Sequence, residues 1–212
     1  MPRAFLRSVV ALGVLLGMAF PRHPVAAETA ATETVVLIRH GEKPALGLGQ
    51  LDCRGLNRAL ALPAVISKAF GKPDAIFAPN PAVAKVDLGH AYDYVRPLAT
   101  IEPTAIVFGL PVDTSIGFSN IDGLRRTLDA PAHRGTLILV AWEHDSLVKV
   151  ARALMARNGG DPAKVPEWPS GDFDSIYVVR ITRTGVHAAA TFEQRREGLD
   201  GEPSACLGQP PG

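Results

Sequence analysis

Val35-Val36-Leu37-Ile38 runs directly into Arg39-His40-Gly41-Glu42-Lys43, an unbroken apolar stretch that ends on a guanidinium, an imidazole and a glycine. Four consecutive aliphatic residues of strand length read as a strand buried on both faces, as in a parallel sheet covered by helices. A second run, Thr136 to Trp142, leads in the same way into Glu143-His144-Asp145. Open α/β sheets place their chemistry just outside the carboxyl ends of the strands. The two runs therefore predict that His40 and His144 face one cleft.

Helical patterns alternate with these strands. Asp52 offers an N-cap to a helix in which Leu56, Ala59, Leu60, Val65, Ile66 and Ala69 recur at near-helical spacing up to Gly71-Lys72-Pro73, with Pro63 expected to kink or split it. Ala75 to Ala78 reads as a short strand stopped by Pro79-Asn80-Pro81. Tyr94 to Ile106 reads as a helix with Pro97 near its first turn, and Ile121 to Leu128 as a short helix. After the second long strand, Leu147, Val148, Val150, Ala151, Leu154 and Met155 share one helical face ended by Gly159-Gly160, and Ser175 to Ile181 is a last strand. Glu28 to Glu33, small and polar, reads as a flexible leader. The expected architecture is α/β, a three-layer sandwich with a mostly parallel central sheet, over one domain, 28–212.

Composition narrows the function classes. Of 212 residues, 47% are apolar and 20% charged, with a net charge of +1. No basic field argues for nucleic acid, no charge excess argues for disorder, and no repeat argues for a solenoid. At the start, Arg3 and Arg7 precede the apolar run Val9 to Phe20, and Val25-Ala26-Ala27 closes it with small residues before the first acid, Glu28. This three-part pattern reads as a signal peptide over 1–27, too short in its apolar part to span a bilayer. Its removal takes away three arginines and moves the net charge from +1 to −2. The expected mature protein is periplasmic or secreted, without stable membrane insertion. Cys53 and Cys206 remain in it, where an oxidising compartment favours a bridge over two free thiols. Closing so long a loop contributes about 4 to 5 kcal/mol in the chain-entropy model.

Motifs for other chemistries do not occur. Gly47-Leu48-Gly49 lacks the third glycine of a dinucleotide fingerprint, and no P-loop, Gly-x-Ser-x-Gly elbow or His-Glu-x-x-His is present. Trp142 and Trp168 read as core or rim packing, His133 and His187 as bland, and His90, Tyr92 and Tyr94 as a surface loop that could line an entrance. What remains is the pair of strand ends. An imidazole beside a fixed guanidinium can attack phosphorus while the guanidinium fork holds two phosphoryl oxygens, and Gly41 allows close backbone approach.

Arg39-His40-Gly41 in this setting resembles the opening signature of the histidine phosphatase superfamily, which contains phosphoglycerate mutases, acid phosphatases and phytases. Leu51-Asp52-Cys53-Arg54-Gly55-Leu56-Asn57-Arg58-Ala59 is similar to the family's helix start, Phe77-Ala78-Pro79 to its Ser-Pro strand end, and Arg96-Pro97-Leu98-Ala99-Thr100 to its arginine four residues before a threonine. His144 matches the later histidine, with Glu143 where many relatives have glycine. The resemblance spans Val35 to Ile181 and implies a phosphoglycerate mutase-like fold. It also implies a phosphohistidine on His40, with Arg39, Arg96 and His144 binding the phosphoryl oxygens, and no cofactor or metal. For the proton donor, Asp145 matches the His-Asp pair of the acid phosphatase branch, its alternative role being helix N-cap. Glu42 and Glu143 compete with it, and Glu42 has the alternative of orienting Arg39 or Lys43. The implied function is an exported phosphomonoesterase of a small-molecule phosphoester. A catalytically inactive relative that binds a phosphorylated or anionic ligand is the alternative. Specificity is expected from the Ala82–Tyr94 insertion and the Gly109–Asn120 loop.

Overall fold

The computed structural model describes residues 1 and 30–208, so the segment read as a signal peptide lies outside the described residues apart from Met1. Its centre is a five-stranded sheet of β1 (Ala31–Arg39), β2 (Ala75–Phe77), β5 (Leu137–Trp142), β6 (Ser175–Thr184) and β7 (His187–Arg196), in the order β2-β5-β1-β6-β7. β2, β5 and β1 pair in parallel, with Val35 opposite Ile138 and Arg39 opposite Trp142. β6 runs antiparallel to β1, and β7 turns back along it. The remaining strands, β3 (Lys85–Asp87) and β4 (His90–Tyr92), form a separate hairpin.

Alternation along the buried strands divides the core in two. Val35, Leu37, Ile138, Val140 and Trp142 pack under α3 (Ile121–Leu128) and α4 (His144–Arg157). Val36, Ile38, Leu139 and Ala141 face the opposite way, under α1 (Cys53–Ala69) and α2 (Arg96–Phe108). Side chains of period two on a sheet covered by helices on both faces make the three layers that the apolar runs predict. Trp142 and Trp168 are both core, the latter stacked on Tyr177 with ring centres 4.2 Å apart.

The elements differ from the sequence reading where polar residues or prolines mislead. Asp52 caps α1 as predicted, accepting from the Gly55 N–H at 2.8 Å, but α1 is one continuous helix through Pro63. The leader ends sooner than expected: β1 begins at Ala31, and Glu33 is fully buried, accepting from Arg183 Nη1 at 2.7 Å. Gly109, at φ 63°, closes α2 in the left-handed conformation that glycine adopts without steric cost. A disulfide joins Cys53 to Cys206, and Asn57 Nδ2 donates to the carbonyls of Pro203 and Ala205 at 2.8 and 2.9 Å, pinning the tail along α1. Among the described residues, no helix is long and apolar enough to cross a membrane.

Candidate active site

The pairing of β1 with β5 continues one residue past the sheet. His40 N–H donates to the Trp142 carbonyl at 3.0 Å, which sets His40 beside Glu143 at the carboxyl ends of adjacent strands. His40 is only 3% exposed, and its Nδ1 lies 2.8 Å from the Gly41 carbonyl. A carbonyl can only accept, so Nδ1 carries the hydrogen and Nε2 keeps a free lone pair. Burial pushes the imidazole pKa down to about 3; the Gly41 carbonyl opposes this, and the positive charges of Arg96, Arg39 and Lys85 add to it. His40 is thus a neutral, singly oriented imidazole near neutral pH, with the lone pair of Nε2 free.

The glycine after it serves packing. A Cβ on Gly41 would lie 2.9 Å from the Cα and carbonyl oxygen of Gly55, so the close approach is between this loop and α1. The Gly41 N–H donates to Thr100 Oγ1 at 2.9 Å, and that hydroxyl donates to the Arg96 carbonyl at 2.8 Å. The four-residue interval between Arg96 and Thr100 is one helical turn. It lets one hydroxyl clamp α2 to the loop that carries His40.

Both arginines are held by one edge and open on the other. Arg39 Nη1 donates to the carbonyls of Ser170 and Asp172 at 2.7 and 2.9 Å, and its guanidinium carbon lies 3.8 Å from the centre of the Phe173 ring. Arg96, 1% exposed, donates through Nη1 to Asp87 Oδ2 at 2.7 Å and to the Gly47 carbonyl at 3.3 Å. In each, Nε is buried without a partner, and among the described residues nothing accepts from Nη2. Nε and Nη2 form the side-on fork with which a guanidinium grips two oxygens of one oxyanion. The Tyr94 hydroxyl, buried without a well-aligned partner, stands within reach of Arg96, and its ring meets His40 edge-on at 6.2 Å between centres.

At the neighbouring strand end, α4 starts at His144 and Glu143 is its N-cap, accepting from the N–H groups of Asp145 and Ser146 at 3.2 and 3.0 Å. The cap is therefore Glu143 and not Asp145. His144 Nδ1 lies 2.7 Å from Glu143 Oε1, and Nε2 lies 3.6 Å from Asp145 Oδ1. Burial works to raise the Glu143 pKa, but His144 and the two N–H groups overcome it and hold this carboxylate well below its usual range. Glu143, His144 and Asp145 bring ligand atoms within 4.8 Å of one another. Both Glu143 oxygens already serve the helix start, however, which suits a cap better than a cation site. Glu42 is spoken for as well: its two oxygens accept from Arg58 Nε and Nη2 at 3.0 and 2.8 Å. It orients neither Arg39 nor Lys43, and Lys43 pairs instead with Asp87 at 3.3 Å. Of the three carboxylates named as proton donors, Asp145 alone stays largely exposed and outside a cap or a bidentate pair.

The structure thus gathers Arg39, His40 and Arg96, with His144 and Asp145 at the adjacent strand end. It adds residues the sequence reading passed over. Asp87 and Lys85 come from the β3–β4 hairpin, and Tyr94, expected in a surface loop, is fully buried. Phe173 backs Arg39. Arg58, also fully buried, meets Glu42, Asp174, Glu197 and Asp200. Of these, Arg58 stood inside a quoted motif and Tyr94 near one, and their types alone gave no sign of burial.

No protein-family model matches the chain, and no curated protein matches it. Solved structures do. A chain from Nakamurella multipartitia assigned as the phosphohistidine phosphatase SixA superposes with a TM-score of 0.53 at 15% identity, over 78% of this chain and 96% of that one. Phosphoglycerate mutase from Plasmodium falciparum superposes with a TM-score of 0.50 at 11% identity, over 79% of this chain and 92% of its own. At such identities the likeness is one of fold: a phosphoglycerate mutase-like three-layer α/β sandwich.

Proposed function

We propose that the chain is an exported phosphomonoesterase that hydrolyses a small-molecule phosphoester through a phosphohistidine on His40. The observation that carries this reading is the neutral His40 imidazole, its Nδ1 fixed on the Gly41 carbonyl, in the field of two arginines whose Nε groups are buried without a well-aligned partner among the described residues. In the first step Nε2 attacks phosphorus, the P–O ester bond breaks, and Asp145 gives its proton to the departing alkoxide. The phosphorylated ring becomes cationic, and the Nδ1–H bond to Gly41 favours that charge. Arg39 and Arg96 take the equatorial oxygens and stabilise the transition state, with His144 beside them. In the second step water attacks phosphorus, the P–N bond breaks, and the Asp145 carboxylate takes the water proton, restoring the enzyme and releasing phosphate. Export is supported by the pattern of residues 1–27 and by the Cys53–Cys206 disulfide.

The test is a trapping experiment. The protein is exposed briefly to a 32P-labelled phosphomonoester and denatured in alkali, where a phosphohistidine survives. Label that stays on the wild type and is absent from His40→Ala is the expected result; equal label on both overturns the assignment. Arg39→Ala and Arg96→Ala should each lower kcat by about 100-fold to 1,000-fold, the usual effect of losing one preorganised donor at a developing oxyanion.

A further inference from the structure

The hairpin carries a cation that the mechanism above does not use. Lys85, the first residue of β3, places Nζ 4.8 Å from the centre of the Tyr94 ring and 5.6 Å from that of Phe118. Among the described residues its Nζ makes no hydrogen bond and no salt bridge. The acid closest in sequence, Asp87, is taken by Arg96 at 2.7 Å and Lys43 at 3.3 Å. Burial pulls the Lys85 pKa below that of an ordinary lysine, with the more distant Glu143 carboxylate opposing it. An ammonium half-buried without a contacting carboxylate is in an unfavourable place unless an anion arrives. Its charge reaches His40 together with those of Arg39 and Arg96.

Arg96 is already neutralised in part by Asp87, and Lys43 shares that same carboxylate. Arg39 is met by two carbonyl oxygens and the Phe173 ring, so it and Lys85 are the cations near His40 that touch no carboxylate among the described residues. Two such charges match a dianionic phosphoryl group. The hairpin is built to hold its lysine there: Asp87 ties β3 to Arg96, and Gly47, at φ 74°, packs so closely that a Cβ would lie 2.6 Å from the Asp87 side chain.

We infer that Lys85 is a phosphoryl-binding residue, lowered by the β3–β4 hairpin onto the anion held at His40, and that it selects dianionic monoesters over monoanionic diesters. The inference rests on the phosphatase reading for its substrate, though its anion-binding part can be tested without turnover. Calorimetric titration of the full chain with inorganic phosphate is compared for wild type, Lys85→Met, which keeps the apolar stem over the rings, and Lys85→Arg, which keeps the charge. Lys85→Met should weaken phosphate binding about tenfold or more and raise KM for p-nitrophenyl phosphate in step, narrowing its advantage over bis(p-nitrophenyl) phosphate. Lys85→Arg should restore most of the affinity, and unfolding midpoints should agree within about 3 °C. Phosphate affinity of Lys85→Met within twofold of wild type overturns the inference, as does Lys85→Arg binding as weakly as the methionine variant. If that happens while His40 still traps label, the phosphatase reading stands and Lys85 alone is wrong. If no label is trapped and yet Lys85→Met loses phosphate, the anion site stands and the hydrolytic reading fails.

Discussion

Replacing Thr100 by valine tests whether the Arg96–Thr100 interval exists to dock α2 on the loop that carries His40. Thr100 is fully buried, and its hydroxyl accepts from the Gly41 N–H at 2.9 Å while donating to the Arg96 carbonyl at 2.8 Å. Valine keeps the volume and removes both bonds, but the two losses are unequal. The Arg96 carbonyl remains the i−4 acceptor of the helix and keeps a backbone donor. The Gly41 N–H has no other acceptor among the described residues, so it is left buried and unpaired, at a cost of about 1–3 kcal/mol. For a domain of this size a loss near 2 kcal/mol lowers the thermal midpoint by roughly 4–8 °C. Urea unfolding at unchanged m-value is the assay, with Thr100→Ser, which keeps the hydroxyl, as the control. Because the Gly41 carbonyl orients His40, the valine variant should also lose about tenfold or more in kcat through a misplaced nucleophile. Thr100→Val within about 0.5 kcal/mol of wild type, the scatter of an ordinary surface substitution, refutes the clamp.

Three further outcomes follow from charge and covalent structure. Burial fixes the His40 pKa near 3, so NMR titration should find its imidazole neutral and Nδ1-protonated from pH 5 to 8, and a midpoint above 5 contradicts the site as described. Glu197 is pushed by burial up to about 8, against the pull of Arg58, from an ordinary value of 4.5. The folded state therefore holds its proton longer than the unfolded chain does, and this stabilising contribution is complete below about pH 4.5 and lost as the pH rises through 8. Glu197→Gln should flatten the fall in stability across that window, and an unchanged slope counts against a protonated Glu197. Reducing the disulfide, which spans 153 residues of sequence, should cost up to about 5 kcal/mol by loop-closure entropy; identical urea midpoints with and without reductant refute that contribution.

The parts of the fold legible in the sequence are those whose burial is two-sided. Val35 to Ile38 and Leu137 to Trp142 lie between helical layers, so every position must be apolar and the run announces itself. Where a strand is buried through polar pairs, the signal is lost. Glu33 reads as leader because the Arg183 that accepts it into the core lies 150 residues away. β7 is an edge strand paired only to β6, with Ala188 and Ala189 exposed and Glu193, Gln194, Arg195 and Arg196 near its end, and nothing in that pattern selects a strand.

The two halves of the site differ for the same reason. Arg39, His40 and His144 are legible because each sits at or within two residues of the end of a strand fixed by its own apolar run. The hairpin that brings Lys85 and Asp87 is not, because its strands are three residues long. Its turn, Leu88-Gly89, puts a leucine at φ 49°, where asparagine or glycine would have marked the position. What holds this hairpin is the ion pair from Asp87 to Arg96, so its position depends on a contact that exists only after α2 has docked. Asp87→Asn therefore separates folding from assembly. It keeps an oxygen for Arg96 and removes the charge that fixes both Arg96 and Lys43. In the wild type the Asp87 pKa lies at about 2, where burial is outweighed by those two cations, so the pair persists at any pH above the carboxylate's ordinary 3.8. In the asparagine variant the sheet and its two core layers should survive, measured by an unchanged far-ultraviolet circular dichroism spectrum, while phosphate affinity falls about tenfold as Arg96 and Lys85 lose their register. Unchanged affinity would mean that the hairpin is held by something other than this pair.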